Sequence, residues 1–403
     1  MTAAIFSLGL LSFALSWVLT WAMKRVAPRF NFVDKPGHRK IHHTPIPLGG
    51  GVAIFLAFAL PLLAGLVFVN FQSPWMTATY ADGQVKGLGQ WPGAQHWPGA
   101  RQQTPLALGL LAATLGMHLL GLRDDRRAMG PFSKLFIQLA ITAAFVIYFD
   151  VRALTALDNL LRMGRWPSVV LTVLWIGAIT NAFNFLDNMD GLSAGVAAVC
   201  TAAFLVTAIS IQQWFVAATL SLLLGALLGF LCFNFAPASI FMGDSGSLVI
   251  GFILGVLTVR TTFLRHGQEF GAGWYAVFAP LIVLAVPLYD LLVVSAIRIS
   301  RGRSPFVGDT NHFSHRLVAR GMSKRTAVLC IYLVTAATSV AAIILPHTRS
   351  PLIAALVFAQ TVLILGVVAL LEQHPLPVVV TVQPKSAQTT PTGEREVVTT
   401  RDA

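Results

Sequence analysis

Residues 181–195 read NAFNFLDNMDGLSAG, a polar run between two apolar stretches, with Asn184, Asp187 and Asp190 at steps of three and Gly191 closing it. Carboxylates at the edge of a membrane segment are costly unless they are paired, hydrated or holding a cation. This run is therefore either a site or a polar turn between helices, and the segment alone leaves both readings open. Its flanks decide the fold class. The chain has 403 residues, 56% hydrophobic and 11% charged, whereas a soluble domain carries about a quarter of its residues as charged ones. About eleven stretches approach the 20 or so apolar residues that a helical span requires. They fall near 2–23, 49–71, 104–121, 132–149, 166–183, 192–210, 214–233, 246–264, 273–297, 326–346 and 351–371. Several are only a few residues apart, so the expectation is an all-α polytopic membrane bundle over 1–371. Residues 372–403, rich in Pro, Thr and Val without helical periodicity, read as a disordered cytoplasmic tail.

Charge sets the expected orientation. Lys24 and Arg25 follow the first apolar stretch and no basic residue precedes it, the reverse of a signal peptide, so it reads as a true span with its N-terminus outside. With alternating spans, loops 24–48, 122–131, 184–191, 234–245, 298–325 and the tail, together with Lys134, carry more than two thirds of the 28 Lys and Arg residues. These loops are expected to be cytoplasmic. The same bias explains the net charge of +12 without a nucleic-acid partner. Cys200, Cys232 and Cys330 lie in apolar segments and read as small core residues rather than a disulfide framework. On the opposite side, the tryptophans of the repeated WPGA at Trp91 and Trp97 read as interfacial anchors.

Every chemically rich loop falls on the cytoplasmic side. DKPGHRKIHHTPIPLGGG, from Asp34, joins Lys35, Arg39, Lys40, His42 and His43 to a glycine run at 49–51. Basic side chains beside close-approach glycines suit a phosphorylated ligand, and positive-inside anchoring explains the charges equally well. GLRDDRRAMGPFSKLFIQ places Asp124 and Asp125 at the end of one span and Lys134 at the start of the next. Adjacent carboxylates can share a proton or a cation, while Arg123, Arg126 and Arg127 offer a plain salt-bridge reading. In FNFAPASIFMGDSGSLVIGF, Asp244 and Ser245 stand where a helix N-cap belongs, and a helix N-terminus also favours phosphate. Capping does not account for Asn234, Phe241 and Gly243 crowding into the same turn. GRSPFVGDTNHFSHRLVARGMSKR carries Arg301, Arg303, Asp309, His312, His315, Arg316, Arg320, Lys324 and Arg325. The spacing of His312 and His315 permits one helical face. With no cysteine nearby and so much positive charge, an anionic ligand is favoured over zinc. Asp290, inside a span near its end, reads as a structural partner of a neighbouring arginine. Clustered carboxylates for Mg²⁺ and clustered cations for phosphates, all on one face, point to phosphoryl transfer on a membrane-embedded substrate.

DDRRAMGPFSK, NAFNFLDNMDGLSAG, FNFAPASIFMGDSGSL and NHFSHRL, in that order, resemble the polyprenyl-phosphate N-acetylhexosamine-1-phosphate transferases, over residues 34–325. The resemblance implies a multi-pass enzyme of the bacterial inner membrane with cytoplasmic catalytic loops. Such an enzyme uses Mg²⁺, with Mn²⁺ as an alternative, to move a sugar 1-phosphate from a UDP-N-acetylhexosamine to undecaprenyl phosphate, releasing UMP and starting a cell-envelope polysaccharide. A homodimer is compatible with it. The resemblance also implies that Asp124 and Asp125 activate or place the lipid phosphate and that Lys134 binds it. Asn184, Asp187 and Asp190 would surround the nucleotide and metal, Asp244 would be the principal Mg²⁺ ligand, and Asn234 and Phe241 would fall at the uracil pocket. His312, His315 and Arg316 match the histidine motif. Two positions depart from the family's pattern: Asn188 stands where it commonly has glycine, and Ser314 where the nearest subfamily usually has another histidine. The GRSPF stretch and the histidine spacing look more like enzymes that use UDP-N-acetylglucosamine. The runner-up is the peptidoglycan enzyme that takes UDP-N-acetylmuramoyl-pentapeptide, whose histidines are typically consecutive. A transporter for an anionic solute would place its polar residues near the midplane of broken helices, whereas here nearly all lie at one face. The expected chemistry is a single displacement in which Asp124 acts as base or positioning group toward the lipid phosphate.

Overall fold

The structure, a computed structural model, describes residues 1–34, 45–71, 96–261, 274–305 and 311–373. Lys35, Arg39, Lys40, His42, His43, Trp91, Asp309 and the tail beyond 373 lie outside the described residues. In chain order the helices are α1 (Thr2–Val26), α2 (Gly50–Asn70), α3 (Trp97–Gln102), α4 (Thr104–Arg126), α5 (Pro131–Phe149), α6 (Ala156–Leu161), α7 (Trp166–Leu186), α8 (Leu192–Ser210) and α9 (Trp214–Asn234). They continue with α10 (Asp244–Arg260), α11 (Ala279–Val283), α12 (Ala285–Ser300), α13 (Phe313–Ala319), α14 (Lys324–Ile343) and α15 (Pro351–Gln373). Among the described residues the one sheet is an antiparallel ribbon of β1 (Val33–Asp34) and β2 (Ile46–Pro47), which pairs Val33 with Pro47 and Asp34 with Ile46. Each of α4, α5 and α7 opens with a proline in its first turn, where the missing N–H costs nothing and φ is already set for a helix.

The fold is an all-α polytopic membrane bundle. Among the described residues, 9 helices are long and apolar enough to cross a bilayer, and the segment Tyr275–Val283, which ends with α11, joins α12 in an apolar pair bent by 66°. Pro287 explains the bend. It lacks the N–H that would bond the Val283 carbonyl, and its ring crowds that carbonyl, so the break falls at Leu284. The remaining apolar segment expected from the sequence is α10, which at 17 residues covers about 25 Å of a hydrocarbon core roughly 30 Å thick. It is the buried axis of the bundle. Every residue over 245–258 is buried, as an all-round apolar helix demands, and α2, α4 and α7 pack around it.

Small polar groups hold α1 to α9: Ser12 Oγ donates to the Leu222 carbonyl at 2.7 Å, Ser16 Oγ to Ala226 at 2.6 Å, and Ser221 Oγ back to Ile5 at 2.6 Å. Within lipid, close packing and interhelical hydrogen bonds replace the hydrophobic drive. The same physics corrects the cysteine reading. Cys200 is buried, but Cys232 is exposed on α9 and Cys330 is half-buried, because an apolar side chain facing lipid and one facing protein are equivalent in a sequence. Trp97 packs edge-on to Phe68, with centroids 5.8 Å apart. α15 runs to Gln373, so Glu372, the first residue assigned to the tail, is helical.

Candidate active site

The motifs meet at the N-terminus of α10. Gly243, at φ 72°, turns the chain into the helix in a conformation that costs glycine nothing. A Cβ there would also collide with the Asp125 carboxylate. From the end of α4, Asp125 accepts hydrogen bonds from Asp244 N at 2.7 Å and Ser245 N at 3.1 Å. The helix is thus capped by a residue from another helix, and the carboxylate of Asp244 is left for other work. Gly51, at the start of α2, lies so close to Ser245 and Gly246 that any side chain would strike their backbone. The amides of the glycine run are also spent on protein: Gly50 N donates to the Phe241 carbonyl and Gly51 N to the Met242 carbonyl, both at 3.0 Å. These glycines do permit close approach, and what approaches them is backbone. Buried His118 donates from Nδ1 to the Ser245 carbonyl at 2.9 Å and stacks on Phe55 with centroids 4.6 Å apart. A lone histidine inside an apolar span carries no sequence signal for that contact.

Lys134, in the first turn of α5, places its ammonium between two of the carboxylates. It donates to Asp124 Oδ2 at 3.0 Å and to Asp244 Oδ2, and lies 3.5 Å from Asn184 Oδ1. Asn184 Nδ2 reaches Asp244 Oδ1 at 2.7 Å and Ser247 Oγ at 2.9 Å. The second oxygen of Asp124 accepts from Met129 N at 2.5 Å. Four helices, α4, α5, α7 and α10, therefore converge on one cation. Side-chain exposures of 13% for Lys134, 14% for Asp124 and 26% for Asp244 leave this junction within reach of a ligand from outside the bundle.

Asp187 follows α7 directly as its C-cap. Burial pushes its carboxyl well above the ordinary carboxylate range, and the neighbouring carboxylates of Asp244, Asp125 and Asp190 push it further, against a smaller opposing hydrogen bond from the Gly243 backbone. Among the described residues no basic side chain is ion-paired with it. Asp190 accepts from Ala238 N at 2.9 Å. Buried Asn234 accepts from Gly191 N at 3.0 Å and donates Nδ2 to the Ile240 carbonyl at 2.9 Å. Both ends of its amide are spent in stitching the 187–191 turn to the 235–243 loop. Phe241 bridges Leu48, and its N donates to the Pro47 carbonyl at 2.9 Å, so the β ribbon is tied to the same loop. Among the described residues no three His, Cys, Asp or Glu side chains form a ready-made metal cage.

The histidine segment closes the other side. His312 Nδ1 lies 2.8 Å from Asp290 Oδ2, and Phe313 N donates to Asp290 Oδ1 at 2.6 Å. Arg298 Nη2 lies 3.4 Å from His312 Nε2. A guanidinium only donates, so Nε2 accepts, and the imidazole carries its proton on Nδ1 toward Asp290. Asp290, fully buried, therefore reaches Arg298 by way of His312, a correction to the simple arginine pair read from the sequence. The ring of His315 lies 6.3 Å from that of His312. Ser314 Oγ donates to Asn188 Oδ1 at 2.6 Å, joining α13 to the 187–191 turn. Arg316 is directed elsewhere: Nε and Nη2 reach Glu372 Oε2 at 3.0 and 2.8 Å, and Tyr289 Oη donates to the same oxygen at 3.1 Å. The structure thus brings Asp124, Asp125, Lys134, Asn184, Asp187 and Asp244 together and sets Arg316 against α15.

A helical membrane bundle with a lysine held between carboxylates at one end, beside a turn that carries Asp187 and Asp190, belongs to the class of polytopic membrane proteins with a polar site at the end of their apolar helices. More narrowly, the chain belongs to glycosyl transferase family 4, whose profile matches residues 107–262, a stretch that includes every acidic member of the junction. A relative from Bacillus subtilis (strain 168), named a probable undecaprenyl-phosphate N-acetylglucosaminyl 1-phosphate transferase, is 30% identical over 331 residues, covering 81% of each chain. A decaprenyl-phosphate N-acetylglucosaminephosphotransferase from Mycobacterium tuberculosis (strain ATCC 25618 / H37Rv) is 31% identical over 346 residues, 81% of this chain and 78% of the relative. A phospho-N-acetylmuramoyl-pentapeptide-transferase from Desulforudis audaxviator (strain MP104C) is 35% identical, but over 173 residues, 38% of this chain and 52% of the relative.

Proposed function

We propose that the protein transfers N-acetylglucosamine 1-phosphate from UDP-N-acetylglucosamine to undecaprenyl phosphate at the cytoplasmic face of a bacterial inner membrane, releasing UMP. The observation that carries this reading is the junction of Asp124, Lys134, Asn184 and Asp244, built where four apolar helices end, so that a lipid-borne phosphate and a water-borne nucleotide have access to the same place. Long matches are to enzymes named for N-acetylglucosamine phosphate transfer, the two relatives above among them, while the muramoyl-pentapeptide match described above is short.

In the proposed reaction a lipid phosphate oxygen bonds to the β-phosphorus of the donor. The bond from that phosphorus to the bridging oxygen breaks, and its electron pair leaves with UMP. The acceptor is largely ionised near neutral pH, so the protein chiefly has to align and to balance charge. Lys134 supplies positive charge at the junction. Asp124 orients Lys134 and positions the acceptor phosphate, and Asp125 acts through the α10 cap to aim Asp244. The residues fit a magnesium ion held in that ion's usual way, by one or two carboxylates with phosphate and water completing the shell: Asp187 is half-buried among carboxylates and, among the described residues, pairs with no cation, next to Asp244. When bound there, the ion would offset charge on the donor pyrophosphate.

Purified protein incubated with undecaprenyl phosphate, Mg²⁺ and a panel of UDP-sugars tests the proposal. UMP and a lipid-linked N-acetylglucosamine should appear only when both lipid phosphate and UDP-N-acetylglucosamine are present. Turnover with UDP-N-acetylmuramoyl-pentapeptide alone would move the protein to the peptidoglycan reaction. Stoichiometric UMP release without lipid, with labelled sugar phosphate trapped on the chain, would replace the single displacement by a covalent route.

A further inference from the structure

Asn188, in the carboxylate turn, and Ser314, on the histidine helix, touch each other. Ser314 Oγ donates to Asn188 Oδ1 at 2.6 Å, across 126 positions of sequence. Asn188 Nδ2 in turn donates to the Phe185 carbonyl at 2.7 Å. We propose that this pair is a latch that positions the histidine helix α13 against the carboxylate turn and so shapes the site for the nucleotide-sugar donor, a role that rests on the transferase reading above.

The burial of Ser314, 1% exposed, makes the bond consequential. A hydroxyl that deep requires a partner, and the one it has comes from a different element. Asn188 sits between Asp187 and Asp190, and Ser314 sits between His312 and His315, so the bond joins the carboxylate turn directly to the histidine helix. Asp290 anchors the start of α13 to α12 through His312 and Phe313 N. Asn188 supplies the other tether, to the turn. Phe185 completes the circuit. Its carbonyl braces the Asn188 amide, its ring meets that of His312 edge-on with centroids 5.9 Å apart, and the Arg298 guanidinium lies 5.1 Å over it. A glycine at position 188 would offer no side-chain acceptor, and an imidazole at position 314 would need space that the Asn188 side chain takes. The asparagine–serine bond thus does the joining at this point.

A double-mutant cycle with Ser314→Ala, Asn188→Ala and the pair tests the latch in purified full-length protein, with undecaprenyl phosphate and UDP-N-acetylglucosamine as substrates. Each single change should raise the KM for the UDP-sugar by about five- to tenfold, the effect of one lost hydrogen bond with its partner left buried. The double change should be no worse than the poorer single one, the signature of a shared interaction. The KM for undecaprenyl phosphate should stay within about twofold of wild type in all three. Additive single losses, an equal rise in KM for both substrates, or a fall in thermal midpoint with unchanged kinetics would each overturn the latch while wild-type turnover upholds the transferase reading. Absence of turnover by the wild-type chain would sink both.

Discussion

Adjacent aspartates with one resemblance-implied role should fail in different ways when changed. Asp125 spends both carboxylate oxygens on backbone N–H groups of α10, at 2.7 and 3.1 Å, whereas Asp124 holds Lys134 and Met129 N. Hydrogen bonds to a charged acceptor contribute about 1.5–3 kcal/mol each. The amides they satisfy in α10 are hemmed in by Gly51 and Gly121, so water replaces them poorly. Taking the lower figure for both, Asp125→Ala should cost about 3 kcal/mol, lowering the thermal midpoint by roughly 3.5 °C for a chain of this size. Asp125→Asn keeps one acceptor oxygen and should lose about half as much. Asp124→Asn keeps its oxygen for Met129 N and leaves Lys134 with Asp244, so its stability loss should stay near 1 kcal/mol, while turnover falls by about a hundredfold or more. Unfolding followed by tryptophan fluorescence in detergent, beside UMP release, separates the two behaviours. A midpoint for Asp125→Ala within about 1 °C of wild type would refute the cap, and full turnover by Asp124→Asn would refute the assignment of the junction.

Further tests bear on the rest of the site. Lys134→Met leaves Asp124 and Asp244 facing each other without their shared cation, so UMP release should fall by about a hundredfold or more; restoration by Lys134→Arg would show that charge alone suffices, which the planar guanidinium geometry opposes. Because burial and neighbouring carboxylates raise Asp187 above its unfolded value, the metal-free fold should lose stability as pH rises from the ordinary carboxylate range through that raised value. Divalent-cation binding should weaken as pH falls through it, and Asp187→Asn should stabilise the metal-free protein at neutral pH, both measurable by unfolding scans with and without Mg²⁺. Cysteines placed singly in loops 122–131, 184–191, 234–245 and 298–325, after removal of the native ones, should resist an impermeant thiol reagent in intact cells; labelling of any of these loops from outside would invert the proposed orientation.

The sequence determined the architecture and much of the candidate site. Lipid imposes a simple code: spans must be long, apolar and helical, and acids near their ends must be doing something. The code reads Asp124, Lys134, Asp187 and Asp244 directly, and the structure brings them together. It does not distinguish a helix facing lipid from one facing protein. The burial of α10 on all sides and the exposure of Cys232 were therefore decided only by packing. Nor does a residue's type say which way its hydrogen bonds go. Asn234 spends its amide on two loops, Arg316 turns to Glu372, Asp125 caps a helix 119 positions away, and Asp290 holds His312. Each of these choices depends on which backbone groups lie unpaired nearby once the helices have packed. That is a property of the tertiary arrangement, because satisfying a buried donor or acceptor is a three-dimensional matter that residue spacing along one strand of sequence does not encode.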